Sequence, residues 1–309
     1  MIPTNAYSSA LSAALEAAGG QNYPPGALYV VATPIGNLAD ITLRALHVLQ
    51  LADTIACEDT RHTQALLRAY GIDKTGAQLL AVHQHNEAEA AQTVIERLRQ
   101  GQRVAYASDA GTPAISDPGA RLVAAVRQDR LPVVPLPGAS SVTAALSVAG
   151  IGDEGAQQSG FVFAGFLSSK ATERATAVET LRGEARAVVM LEAPHRIEAL
   201  ATALAVLGAR PITIGRELTK QFEEIATIHV ADFPAWLAQD ANRLRGEFVL
   251  VLHPAPAAAE AGPDTRVLKL LLEQLPLKTA VKLASDITGE PRNALYQLAL
   301  DLKASGQPD

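Results

Sequence analysis

The sequence predicts an α/β protein built as two α/β domains followed by a small helical module. Three observations carry that prediction. From residue 27 to about 150, short apolar, β-branched runs alternate with amphipathic stretches of roughly 10–15 residues, the rhythm of a parallel sheet covered on both faces. Beyond Gly150 the rhythm changes. Strand-like runs there follow one another with few helices between, as in a mixed sheet with antiparallel pairs. Finally, HPAPAAAEAGPD (253–264) is a Pro/Ala linker, and the residues after it are helical in pattern. The expected divisions are an extension over 1–26, a first domain over 27–152, a second over 153–254, and linker plus helical module over 255–309.

Residues 1–26 are rich in Ala and Ser and end in YPPG, which reads as a loose or weakly helical extension. ALYVVAT (27–33) is a strand, followed by the loop PIGN and the amphipathic stretch DITLRALHVLQLA. DTIACE is the second strand, and DTRHTQALLRAYGI is a helix stopped by Gly71. QLLAVH is the third strand, and NEAEAAQTVIERLRQG a helix stopped by Gly101. RVAYA leads into SDAGTPAISDPG (108–119), and DPGARLVAAVRQD continues as a helix with Asp117 as its cap and Pro118 in its first position. LPVVPL and ASSVTAALSVAG complete the first series. In the second, GFVFAGF, ARAVVMLE, PITIGREL, EEIATIHV and GEFVLVL read as strands. PHRIEALATALAVLG and ADFPAWLAQD read as helices.

At 309 residues the chain is long enough for two cores. No stretch approaches the ~20 apolar residues of a membrane span, and the N-terminus lacks the basic start and apolar block of a signal peptide. The expected location is therefore the cytoplasm. The single cysteine, Cys57, excludes an internal disulfide and a multi-cysteine zinc site, and its place in a strand reads as core packing. A net charge of −6 argues against a general electrostatic grip on nucleic acid.

GIGDEG (150–155) matches the dinucleotide pattern G-x-G-x-x-G, yet it follows a helix-like run and precedes a strand, so it reads as linker. The loop at 108–119 has the right context for a ligand. In open parallel sheets ligands lie outside the carboxyl ends of strands, and small residues let the backbone approach a ligand closely. Asp109, with no capping duty, is the likelier ligand contact of its two aspartates. TPIGN (33–37) and PLPGASS (135–141) occupy equivalent strand ends, so the three loops together suggest a binding crevice. His83 and His85 in VHQHNE lack evident carboxylate partners, and no metal is expected there. EDTRH (58–62) places Glu58, Asp59 and Arg61 on the same edge. They read equally as substrate contacts or as a helix cap with an ion pair.

The ordered motifs LYVVATPIGNLADITLRALHVL, EDTRHTQALL, HQHNE, SDAGTPAISDPG, PGASS, GFL, EAPHRI, RELTK and GEFVLVL resemble those of the ribosomal RNA small-subunit methyltransferase I family, within the tetrapyrrole methylase superfamily. The resemblance covers about residues 27–253 and extends more weakly through KTAVKLASDITGEPRNALYQLAL. It implies two α/β domains with S-adenosylmethionine in the cleft between them, a homodimer, and 2′-O-methylation of a cytidine in the decoding region of 16S rRNA within the small ribosomal subunit. By motif, Pro34, Ser108, Asp109, Ala110, Gly111, Ser140, Ser141, Leu191 and Glu192 are expected to contact the cofactor. Two positions depart from the family pattern: Gln84 stands where many relatives carry an acid, and Ala193 where Ser is common.

A ribose hydroxyl is a weak nucleophile, so a base is useful, and His85, Glu58, Asp59 and His195 are the candidates near strand ends. Arg61, Asn86 and Arg196 near the cleft, with Lys278, Lys282 and Arg292 in the last module, are the expected RNA contacts. Two other readings stay open: a methyltransferase of the same superfamily acting on a tetrapyrrole-like acceptor, and a non-catalytic ribosome-assembly factor.

Overall fold

The structure is a computed structural model that describes residues 7–83, 86–116, 118–151, 160–255 and 265–305. Five strands, β1 (Leu28–Val31), β2 (Thr54–Cys57), β3 (Leu79–Ala81), β4 (Val104–Ala107) and β5 (Val133–Leu136), pair in the order β3-β2-β4-β1-β5, all parallel. The central strands β2 and β4 are buried throughout, as continuous apolar runs in a sheet covered on both faces must be. Helices α1 (Ser8–Ala18), α2 (Leu43–Leu51) and α3 (Thr60–Ala69) supply residues to one core, including Leu46, Leu49 and Leu67. Another core gathers Val94 and Leu98 of α4 (Glu87–Arg99) with Leu122 and Val126 of α5 (Ala120–Gln128). Helix α6 (Ser141–Val148) ends the series.

The second sheet runs β6 (Phe161–Gly165), β7 (Ala187–Glu192), β10 (Phe248–Leu252), β8 (Pro211–Arg216) and β9 (Glu224–His229) in spatial order. β6 and β7 are parallel, and the remaining neighbours are antiparallel. Helices α7 (Ala171–Leu181), α8 (Ile197–Leu204) and α9 (Phe233–Ala238) share one core with it. Val142 and Ala145 of α6 pack with Val189, Val249 and Val251 in another core cluster. The first domain's last helix thus lies on the second domain's sheet, and the two sheets form one compact unit. The chain from Pro254 onward belongs to a second unit. There α10 (Thr265–Gln274), α11 (Leu277–Thr288) and α12 (Arg292–Ser305) enclose a small core of Leu268, Val281, Ala284, Leu295 and Ala299. No helix among the described residues is long and apolar enough to cross a membrane.

One local expectation is narrowed and two are corrected. Of the two forms expected for the N-terminal segment, its described part takes the helical one and is packed: Ala14 and Ala18 of α1 are buried, and Tyr7 meets the Tyr70 ring with centroids 5.4 Å apart. Helix α5 starts at Ala120, with Gly119 at the N-cap and Pro118 outside the helix. Its first amides are satisfied from elsewhere, because Glu87 Oε1 accepts the N–H groups of Gly119 (2.9 Å), Arg121 (3.0 Å) and Leu122 (3.3 Å). Asp117, the expected cap, lies outside the described residues. Lastly, α7 was not expected. Its sequence, ATERATAVETL, buries only Val178 and so lacks an apolar stripe, but parallel strands β6 and β7 require a crossover that a helix fills.

Candidate functional site

In the first sheet β4, β1 and β5 are neighbours, so the loops at their carboxyl ends lie side by side. The chain fastens them together. Thr33 and Gly111 exchange backbone hydrogen bonds of 2.9 and 3.0 Å, and Thr33 Oγ1 donates to the Ser108 carbonyl at 3.1 Å. Thr112 Oγ1 donates to the Ala139 carbonyl at 3.0 Å, joining the β4 loop to the β5 loop. Gly111 has φ +80°, which favours glycine, and a Cβ there would sit tightly at 3.2 Å from Ile35 Cγ2.

These loops wall a cavity of about 340 Å³ whose other side is built from the ends of β6, β7 and β10. Of the expected cofactor contacts, Ala110, Gly111, Ser140, Ser141, Leu191 and Glu192 line it. Pro34, Ser108 and Asp109 do not. Pro34 is buried. Ser108, 1% exposed, turns its Oγ onto the Ala110 and Gly111 carbonyls at 3.3 Å and so braces its own loop. Asp109 Oδ1 accepts the Asp59 N–H at 3.3 Å, tying the β4 loop to the β2 loop.

Most of the lining is apolar, and among the described lining residues there is no Lys, Arg or His. Two carboxylates are present. Glu247 is 74% exposed and paired with Lys220 at 3.0 Å. Glu192 is different, with its side chain only 1% exposed. Its Oε1 accepts the Ala193 N–H at 2.9 Å and lies 3.0 Å from Arg196 Nε, a close ion pair in which that N–H is not aligned as a hydrogen bond. Its Oε2 is buried with no hydrogen-bond partner among the described residues. A buried acceptor left open in this way suits a donor from outside the chain. On the first domain's side, Ser140 stands at the N-cap of α6 without a side-chain cap bond, where the helix favours negative charge.

The other expected residues that are described do not line this cavity. Asp59 caps α3, accepting from the N–H of Arg61 (2.8 Å) and His62 (3.4 Å). Its side-chain bond with Arg61 holds the carboxyl down to about 2. Arg61 itself is 91% exposed. Glu58, half-buried, and His195, exposed, do not line the cavity. Asn86 accepts from the His83 N–H (2.8 Å) and donates to the Ala81 carbonyl (3.0 Å), bracing the turn into α4. Arg196 is committed to Glu192 and to the Leu167 carbonyl, so it positions a carboxylate instead of offering a free cation. His85 and Gln84 lie outside the described residues. Lys278 and Lys282 are exposed on α11, and Arg292 pairs with Asp286 at 3.0 Å. Cys57 is buried, and burial pushes its thiol up to about 11, as core packing requires. Among the described residues no group of three His, Cys, Asp or Glu is placed to hold a metal.

Sequence reasoning passed over Ile115, Ser116, Phe163, Phe166, Glu247 and Phe248, which line the same cavity. It noted the loop after β8 only as the motif RELTK, without the contacts its residues make. Glu217 and Thr219 there adopt φ of +51° and +66°, conformations that non-glycine residues hold only under constraint. Glu217 Oε1 accepts from the Glu247 N–H (2.9 Å) and Lys220 Nζ (2.8 Å), while Thr219 Oγ1 accepts from the Asn37 N–H at 3.1 Å. A Cβ on Gly36 would collide with the Lys220 side chain. RELTK thus ties the β1 loop to the strand that carries Phe248.

The family described as Tetrapyrrole (Corrin/Porphyrin) Methylases matches residues 27–234, and the RsmI C-terminal HTH domain matches residues 255–303. The Ribosomal RNA small subunit methyltransferase I of Escherichia coli O157:H7 is 45% identical over 280 residues, covering 89% of this chain and 95% of that protein. The protein of that name from Neisseria meningitidis serogroup B is 48% identical over 282 residues, covering 90% and 94%. Among solved structures, uroporphyrin-III-C-methyltransferase from Thermus thermophilus superposes with TM-score 0.53 at 22% identity, over 74% of this chain and 94% of that one. A cobalt precorrin-4 methyltransferase gives 0.52 at 19%, over 75% and 98%. At such identities the structural matches speak for the fold alone.

Proposed function

The chain belongs to the ribosomal RNA small subunit methyltransferase I family of tetrapyrrole methylases, and from that premise we propose that it methylates the ribose 2′-oxygen of a cytidine in the decoding region of 16S rRNA, using S-adenosylmethionine. The observation that carries the cofactor's place is the cavity at Glu192: one buried carboxylate with an open oxygen, an uncapped helix start, and no basic side chain among the described lining residues. That donor set fits a ligand that joins a sulfonium and an ammonium to a carboxylate. The volume falls within the range of small-molecule sites, about 300–1,000 Å³.

Bound S-adenosylmethionine supplies an already activated methyl group. What remains for the chain is binding, alignment and the exclusion of water, and alignment alone can contribute several kcal/mol. Glu192 would hold the cationic part, and Arg196 and the Ala193 N–H fix its carboxylate. Ser140 and Ser141, at the start of α6, would receive the anionic end. The Thr33–Gly111 and Thr112–Ala139 links keep the small-residue wall rigid. Asp59, held near 2, is too acidic to act as an effective base at neutral pH.

The match of residues 255–303 to a helix-turn-helix description supports a nucleic-acid-contacting role for α10–α12, with Lys278 and Lys282 as phosphate contacts. An acidic protein can select RNA by shape, by the 2′-hydroxyl and by splayed bases, with only a local basic patch. The same family reading implies a homodimer, which sedimentation of the purified protein checks.

The test is transfer of tritium from labelled S-adenosylmethionine to 30S subunits from cells lacking this enzyme, with free 16S rRNA in parallel. Label on a cytidine ribose 2′-oxygen is the expected result. Label on a base refutes the chemistry, and cofactor binding without label in either RNA transfers the proposal to a small-molecule acceptor. Failure to bind the cofactor by calorimetry leaves a non-catalytic assembly factor as the better reading.

A further inference from the structure

Strand β6 reads FVFAG and ends at Gly165, with Phe166 and Leu167 next along the chain. Its side chains alternate as a strand should: Val162 and Ala164 pack on the helix-covered core, and Phe163 on the opposite one. Continued strictly, that alternation sends residue 166 into the helix-covered core. The pairing of β6 with β7 instead shifts register between Phe163 and Gly165, and Gly165 takes φ +62°. The bulge re-aims the strand. Leu167 takes the place in the core, 8% exposed, while Phe166 joins Phe163 in lining the cavity and remains 52% exposed.

A similar irregularity occurs on the first domain's side. Ala114 holds φ +64°, an uncommon conformation for a residue with a Cβ, and the next side chain, Ile115, is 55% exposed and lines the same cavity. Each domain therefore uses a local backbone departure to deliver one large apolar side chain to this site and leave it half in solvent. Neither side chain is needed to fill a core.

We propose that Phe166, assisted by Ile115, is the stacking platform for the nucleobase of the rRNA nucleotide whose ribose is methylated. This rests on the reading of the cavity as an rRNA methylation site and goes beyond it by naming what receives the base. To present a 2′-hydroxyl inside a cavity, the nucleotide must leave its stack, and its base then exposes a flat apolar face beside the reacting sugar. An aromatic ring beside the site replaces the lost stacking, and it does so without reading sequence.

The experiment compares wild type with Phe166→Ala, Phe166→Trp and Ile115→Ala, reading S-adenosylmethionine affinity by calorimetry and kcat/KM for 30S subunits by tritium transfer. Because Phe166 is half exposed, folding of the Ala variant should persist, and circular dichroism checks it. The expected result is cofactor affinity within about two-fold of wild type. kcat/KM for 30S should fall about 5- to 150-fold, the equivalent of one lost base stack of about 1–3 kcal/mol. Phe166→Trp should restore most of that loss, and Ile115→Ala should show a smaller one. Unchanged kcat/KM in Phe166→Ala overturns the proposal while leaving the methylation reading intact. A parallel loss of cofactor affinity also overturns it, because the ring then stacks on the cofactor's adenine. Wild type that binds cofactor but does not label rRNA removes the premise, and the platform falls with it.

Discussion

Arg196 Nε lies 3.0 Å from Glu192 Oε1, linking the last residue of β7 to the start of α8, and the carboxylate it meets is almost wholly removed from water. A buried charge held by a single guanidinium is sensitive to loss of its partner, because the remaining ion keeps its desolvation cost.

Replacing Arg196 by Met should therefore destabilise the protein by about 3 kcal/mol, the lower end of what breaking a buried pair costs, since Arg196 is itself partly hydrated at 24% exposure. Glu192→Gln in the same chain should recover much of that stability. Cofactor affinity should fall in both the single and the double variant, because the charge that receives the ligand is mispositioned in one and absent in the other. Denaturant midpoints read the first effect and calorimetry the second. Recovery of affinity in the double variant rejects Glu192 as the cationic anchor.

Asp59 gives a pH dependence with a defined sign. Its carboxyl is held at about 2, below the ordinary value of 3.8, chiefly by the Arg61 side-chain bond. A group with a depressed folded value contributes stability that is present above the unfolded value and lost as pH falls through the folded one. The stability gap between wild type and Asp59→Asn should be constant above about pH 5 and narrow between pH 4 and 2. Melting temperature against pH measures it. A gap that narrows instead between pH 6 and 8 assigns the cap a different protonation than the one described.

Glu87 offers a test of the capping of α5. One carboxylate oxygen takes three backbone N–H groups that the helix cannot satisfy itself. Glu87→Ala should cost about 1–3 kcal/mol, whereas Glu87→Gln, which keeps an acceptor oxygen, should cost less. The loop just before α5 carries Ala110, Gly111 and Ser116 to the cavity, so cofactor affinity should weaken along with stability. Urea melts and calorimetry on the two variants decide the point.

How far these features were legible follows from what each depends on. Apolar runs such as VAYA and small-residue strand ends such as DAG and ASS carry their own signal. Strand and loop were accordingly accessible from the residues themselves, whereas Ala110, Gly111, Ser140 and Ser141 were singled out by the family resemblance. Phe166 was not, because a one-residue register shift reverses the face on which it stands, and no composition announces that shift. Glu217, Lys220 and Glu247 were not, because their association depends on a left-handed turn adopted by residues other than glycine. Asn86 and Arg196 look like free polar groups in a sequence and become braces only when their partners, the Ala81 carbonyl and the Glu192 carboxylate, arrive from the fold.

The helical module is the place to test the RNA contact by electrostatics. Lys278 and Lys282 are one turn apart and exposed on α11, whereas Arg292 is already paired with Asp286. A lysine that neutralises a phosphate releases a counterion, so binding to 16S rRNA in 30S subunits should weaken linearly in log affinity against log salt. Lys278→Ala and Lys282→Ala should each reduce the magnitude of that slope by about 1, and Arg292→Ala by less. Cofactor affinity should stay constant, since the cavity lining lies wholly within residues 35–249. Filter binding over a salt series measures the slope. If it is unchanged in the double lysine variant, α11 does not face the RNA backbone, and the module's contact must come from elsewhere on its surface.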